Sequence, residues 1–467
     1  MRRRRSAGAL AFAACVGACA GPRPAPPTAA SVVPPPAWRT ALGAGQPIRA
    51  DWWTAFGDPV LIRLIARALD ANDDLGIAAA RIEQARAQAR LSRAERAPEV
   101  TGGTPLSEGR TLDPFGDPYT ALGAEPAVTI SYDLDLFGRL AQANAAARAQ
   151  LLASEGARDA VRIGVASNVA SGYINLRALD ARLAIARDTL AARAEALRIA
   201  RRRAQTGYTS NLELHQAEGE YHATEQLVPQ AELAIRRQED TLSLLLGDNP
   251  GPIARGLPLD ALRPPPIPGG LPADLLRRRP DLFQAEQALV AADRTLDSAR
   301  AAFLPDVALT GSAGLLISTF AALPNPVTPI FSLGGSVLAP LFDAGRRQAR
   351  QSDAAARRDQ AAFAYRRAAL AAFSEVENSL AGVQRSGEQA IALTGQRDAL
   401  AAALRNASNR YRAGYSSYLD QLDAQRGLLT AELALVQARA DRMASYVALY
   451  QALGGGWSTA EVAAVRR

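Results

Sequence analysis

The segment ARRRAQTGYTSNLELHQAE, Ala200 to Glu218, is echoed by YRAGYSSYLDQLDAQ, Tyr411 to Gln425. Gly207-Tyr208 matches Gly414-Tyr415, and Leu212 matches Leu419, both at an offset of 207. Moving outward, the offset persists. Gly138-Arg139 in LDLFGRL pairs with Gly345-Arg346 in LFDAGRR, Pro98 with Pro305, and Leu246-Gly247 with Leu453-Gly454. A constant offset without a net gap makes the body a tandem duplication of one large unit. The period far exceeds that of a solenoid repeat.

Each copy has one internal order. A helical pattern runs toward a proline, over Val60 to Ala97 and again over Leu275 to Leu304. A Gly/Pro/Thr/Ser-rich region of loosely alternating apolar residues follows, then a long proline-free stretch. Within these stretches Val169, Leu176, Leu183, Leu190 and Leu197 recur every seven residues. So do Leu214, Tyr221, Val228, Ile235 and Leu242, and in the second copy Leu422, Leu429, Val436, Met443 and Tyr450. Sustained sevens predict helices that supercoil on neighbours. Gly138 to Gly207 predicts a helix of about 100 Å, and the return segment Leu212 to Leu246 only about 50 Å. The shorter helix before the strands fills the remaining height.

The strand candidates are EVTGGTPLSEG and AVTISYDLDL around RTLDPFGDPY, then DVALTGSAGLLIS and TPIFSLGGSVLAP around FAALPNPV. That is two hairpins, four strands per chain. No segment after the N-terminus has the roughly 20 apolar residues of a spanning helix. Any crossing must therefore use strands. Four strands cannot close, and an open edge is not tolerated in hydrocarbon. The chain is expected to share a barrel with copies of itself.

Arginine supplies all 53 basic residues, with no lysine, which reads as compositional bias and argues against nucleic-acid binding. Arg2 to Arg5 precede a short apolar run, Ala7 to Ala18, the pattern of a signal peptide. Removing 1–18 takes away four arginines and no acid, so the formal charge falls from +7 to +3. Cys15 and Cys19 are the two cysteines. Val16 to Cys19 resembles a bacterial lipobox, which implies cleavage before Cys19 and acylation of it. Ala20, in place of aspartate, favours the outer membrane. The expected organisation is signal 1–18, lipidated Pro-rich tether 19–50, first repeat 51–258 and second repeat 259–467.

The segments DWWTAFGDPVLIRLIARAL, LDLFGR, RRRPDLFQAEQALVAA, LFDAGR and YRAGYSSYLDQLDAQR resemble the TolC-like outer-membrane efflux proteins. With the lipobox they are most similar to the lipoprotein branch serving resistance-nodulation-division pumps. The resemblance implies a mostly α protein with a membrane β-barrel. Three chains would give four strands each to a twelve-stranded barrel above a tunnel of twelve helices. It implies a passive efflux duct rather than an enzyme, with a periplasmic adaptor and an inner-membrane pump as partners and no cofactor. Adaptor docking is expected at the turns, Gly207, Tyr208, Gly414 and Tyr415. The periplasmic gate is expected at Asp420, Asp423 and Tyr411, where acidic rings follow a tip tyrosine in related channels. The first copy carries Glu213 and Gln216 at the places of Asp420 and Asp423.

No nucleophile, phosphate or metal motif stands out. His215 and His222 are seven apart, unlike zincin ligands. Gly454-Gly455-Gly456 reads as a helix stop, and Asp133 and Asp135, where strand passes into helix, as residues for capping or belt contacts rather than acid–base work. The alternatives are a type I secretion duct, a lipidated adaptor and, lower, an envelope hydrolase. An adaptor has one helical hairpin where this chain has two.

Overall fold

The computed structural model describes residues 22–40, 48–112, 115–267, 269, 271–320, 323–324 and 326–457. The chain divides into two compact units. One gathers Met1–Val32, Arg81–Glu155 and Gln284–Arg366; the other gathers Val33–Ala80, Gly156–Phe283 and Arg367–Arg467.

The helices repeat with the sequence. The first copy has α1 (Pro59–Ala71), α2 (Asp73–Ala94), α3 (Arg139–Gln205), α4 (Asn211–Glu225) and α5 (Leu227–Leu245). The second has α6 (Pro272–Arg278), α7 (Pro280–Ala301), α8 (Arg346–Arg412) and α9 (Tyr418–Ala452). The long helices α3 and α8 are both 67 residues, starting 207 apart.

Two expected helices are each broken in two, at equivalent positions. Asn72 and Arg279 take extended backbone, ψ 130° and 124°. Arg279 precedes Pro280, whose ring disfavours helical backbone before it. Asn72 instead accepts from the Asp74 N–H through its side chain (3.0 Å) and donates to the Leu245 carbonyl (2.9 Å). The return segment of the first copy is also interrupted, between α4 and α5 at Gln226. Pro229 has no N–H to give the Glu225 carbonyl. The second copy has Val436 there, and α9 runs unbroken.

The first unit holds the sheet: β1 (Glu99–Gly103), β2 (Leu106–Leu112), β3 (Pro118–Ala124), β4 (Ala127–Asp133), β5 (Asp306–Phe320), β6 (Leu323–Pro324) and β7 (Thr328–Leu338). β1 with β2, and β3 with β4, are single strand lengths interrupted near Pro105 and Pro126. The antiparallel order is therefore β1/β2, β4/β3, β5, β7, as four strands across. The first hairpin reaches farther than its loop-rich sequence suggests, with pairing as far as Leu112 opposite Pro118. Asp135 accepts from the Leu140 and Ala141 N–H groups at the start of α3, as a cap.

The Pro-rich segment is not a free tether. In the first unit Arg23 pairs with Asp293 (2.7 Å) and Asp297 (3.1 Å), and buried Arg358 donates to the Pro24 and Ala25 carbonyls. In the second, Trp38 packs on Phe373 and the Arg39 N–H meets Glu377.

The second unit is pinned by Asp58, which is fully buried. Its carboxylate accepts from the Val60, Leu61 and Leu257 N–H groups and from the Tyr173 hydroxyl (2.9 Å). Burial pushes the Tyr173 phenol up to about 12. Gly256 must lack a side chain, since a Cβ would lie 2.2 Å from the carboxylate. Trp52 stacks on Tyr450 nearby, at 5.3 Å between ring centres.

Candidate functional site

Strand register gives the sheet two chemically different faces. Thr101, Thr129, Ser312 and Ser332 lie directly opposite one another across all four strands. The Ser312 and Ser332 hydroxyls are 2.8 Å apart. One residue along, Val100, Ile130, Gly311 and Leu333 form the next row; one residue the other way lie Gly102, Val128, Ala313 and Phe331. Successive rows point to opposite faces. One face is therefore apolar and the other carries hydroxyls. Phe331 and Leu333 are 88% and 89% exposed, an arrangement suited to hydrocarbon rather than to water. Among the described residues the strands at the two margins, β1/β2 and β7, each have one unpaired edge.

The second locus is the pair of turns where α3 and α8 end. Gly207 and Gly414 have φ of +75° and +79°, the left-handed conformation that glycine adopts without strain. Both turns close alike. The Tyr208 N–H donates to the Arg203 carbonyl (2.8 Å) and the Tyr415 N–H to that of Arg410 (2.9 Å), as in a Schellman cap. Tyr208 and Tyr415 are left 79% exposed.

The two turns are joined by Tyr411. Its hydroxyl donates to Glu213, which also accepts from Thr209. The Arg203 guanidinium lies 4.8 Å from the Tyr411 ring centre. Burial, then the hydrogen bond to Glu213, push the Tyr411 phenol up to about 12. Beneath, Leu197, Ala200, Ala217, Tyr418 and Leu422 form an apolar cluster. A second polar link follows. Arg193, buried on α3, reaches Glu220 on α4 (3.2 Å) and Gln425 on α9 (2.5 Å), and Arg426 also binds Glu220. Burial pulls the Arg193 guanidinium down; the hydrogen bond that Arg426 donates to Glu220 pushes Arg426 up.

Of the residues singled out from sequence, Gly207, Tyr208, Gly414, Tyr415 and Tyr411 come together in this region. Asp420 and Asp423 stand exposed on the first turns of α9. The hydroxyl of Tyr411 is engaged by Glu213, in the other copy. Cys19 lies outside the described residues. His215 and His222 are exposed and rest against Glu218 and Glu225. Among the described residues no group of three or more His, Cys, Asp or Glu is placed to hold a metal ion. No described helix is long and apolar enough to cross a membrane, which says nothing of the strands. Sequence reasoning missed Glu213, Arg193 and Glu220 as partners. The available signal was Arg193 itself, an arginine on the heptad seam between Leu190 and Leu197.

Comparison with known proteins places these features in a family. The family model described as outer membrane efflux protein matches residues 64–248 and again 271–455, with both bounds 207 apart. The cation efflux system protein CusC of Escherichia coli is 34% identical over 409 residues, 87% of this chain and 88% of CusC. The toluene efflux pump outer membrane protein TtgI of Pseudomonas putida is 35% identical over 410 residues, 87% of each chain. Among solved structures, the open-state MtrE outer membrane channel of Neisseria gonorrhoeae superposes with a TM-score of 0.76 at 30% identity, covering 93% of this chain and 98% of MtrE.

Proposed function

The chain belongs to the outer membrane efflux protein family, and on that premise we propose that it is a passive exit duct, assembled from three copies and gated at the turns of its helical hairpins. It is the outer-membrane channel component of an efflux system. The observation that carries the assembly is the two-faced sheet with both edges open. Closure needs the β7 edge of one chain to pair with the β1/β2 edge of the next. Three chains then supply twelve strands, with Phe331 and Leu333 toward lipid and the hydroxyl rows toward a water-filled lumen. Cys19 carries the lipid anchor, and radioactive palmitate should label the wild-type chain but not Cys19→Ser.

The gate follows from the turn geometry. Asp420 and Asp423 of three chains place six carboxylates around the mouth, attracting cations and repelling anions. The Tyr411–Glu213 bond ties the two hairpins of one chain in a single arrangement. Opening requires that bond to yield. A periplasmic adaptor docks at Gly207-Tyr208 and Gly414-Tyr415, and an inner-membrane pump supplies the energy. The duct performs no catalytic step. Its cargo is small molecules or metal ions, in keeping with relatives named for cation, toluene and pyoverdine export. Planar-bilayer recording tests the gate: Asp423→Ala should raise single-channel conductance, and an unchanged value would remove Asp423 from it.

A further inference from the structure

The tip carries a charged surface that the gate does not use. Glu195, Arg198 and Arg202 are spaced i, i+3, i+7 on α3 and share one exposed face. Arg198 is bound to Glu195 through its Nε (2.7 Å). Arg412, exposed in the last turn of α8, adds its charge at the same carboxylate. The hydrogen bond from Arg198, with the charges of Arg202 and Arg412, holds the Glu195 carboxyl below its ordinary range. Arg203 over the Tyr411 ring fixes the ends of α3 and α8 side by side. Among the described residues three guanidiniums thus act on the one carboxylate of Glu195, a surplus of positive charge, and just past the ends of α3 and α8 the rings of Tyr208 and Tyr415 are exposed.

Arginines in a last helical turn offset the helix dipole. That accounts for Arg202 and Arg412. Arg198, about two turns before the end of α3, lies beyond the reach of the dipole and is held by Glu195 instead. Arginine and tyrosine together are the residue types that anchor protein interfaces.

We propose that Arg198, Arg202 and Arg412, with Tyr208 and Tyr415, form a docking face for an acidic helical segment of the periplasmic adaptor. The inference rests on the adaptor reading given above and adds the chemistry of the partner. Carboxylates spaced i, i+3 or i+4, i+7 on one helix would meet the arginines on α3, while the tyrosine rings cover its apolar flank. Charge complementarity of this kind fixes register and speeds encounter.

The test uses the full-length protein in detergent. Two synthetic helical hairpins, one with three glutamates at i, i+3 and i+7 and one with lysines there, are titrated by fluorescence anisotropy. The glutamate hairpin should bind and the lysine hairpin should not. The R202E/R412E double variant should weaken the glutamate hairpin by about tenfold or more, while R202K/R412K retains most of the binding. Equal binding of both hairpins would overturn the proposal, as would a charge-reversed variant, folded by circular dichroism, that binds as the wild type does. Phosphatidylglycerol vesicles that bind through the same arginines while the glutamate hairpin does not would overturn it in favour of a lipid surface. Wild-type protein that conducts in bilayers but ignores the glutamate hairpin refutes this face alone; protein that does not conduct refutes the duct beneath it.

Discussion

Tyr411 is where a single hydroxyl ties the two copies together. Tyr411→Phe keeps the ring against Tyr418 and the apolar cluster but deletes the bond to Glu213. The predicted outcome is a higher resting conductance with little change in melting temperature. The pH dependence has a definite sign. The phenol's pKa is raised in the folded chain, to about 12, so its contribution is complete below the unfolded value of about 10 and is lost as pH rises toward 12. Wild-type conductance should climb across that window, and Tyr411→Phe should show no such step. A step of equal size in both proteins would detach Tyr411 from the gate. Asp58 is the structural counterpart. Asp58→Ala strands the Tyr173 hydroxyl and the Leu257 N–H in a buried site and removes the cap of α1. The expected loss is about 3 kcal/mol, read as a lower melting temperature.

At the scale of elements, the duplication, the two long helices and the four strands were legible from sequence. They rest on periodicity and on punctuation by glycine and proline, which survive without tertiary context. The breaks were less legible. Arg279 before Pro280 is readable in retrospect, but Asn72 breaks its helix through a bond to Leu245, a residue 173 positions away. The candidate site split the same way. Its turns were visible as Gly-Tyr pairs, whereas the partner of Tyr411 was not, because Glu213 lies in the other copy and only packing brings it near. The turns give their own prediction. Gly207→Val or Gly414→Val forces a branched residue into left-handed backbone at a cost of about 1–3 kcal/mol. Hydrogen-exchange protection should fall in the last turns of α3 or α8 and stay unchanged in the sheet. Uniform loss of protection would mean the turns are not independent of the rest.

For the whole molecule, everything turns on one chain being an incomplete barrel. Phe331→Arg places a charge on the apolar face and should cost about 2–4 kcal/mol per chain, lowering recovery in membranes. Ser312→Arg, on the hydroxyl face, should insert normally and change ion selectivity. Equal damage from both would contradict the assignment of the faces. The most direct test is native mass spectrometry of the detergent-purified protein, paired with bilayer recording of the same sample. Three chains in the conducting species is the predicted result; a single chain that conducts by itself, or a folded monomer that never enters lipid, would contradict the account.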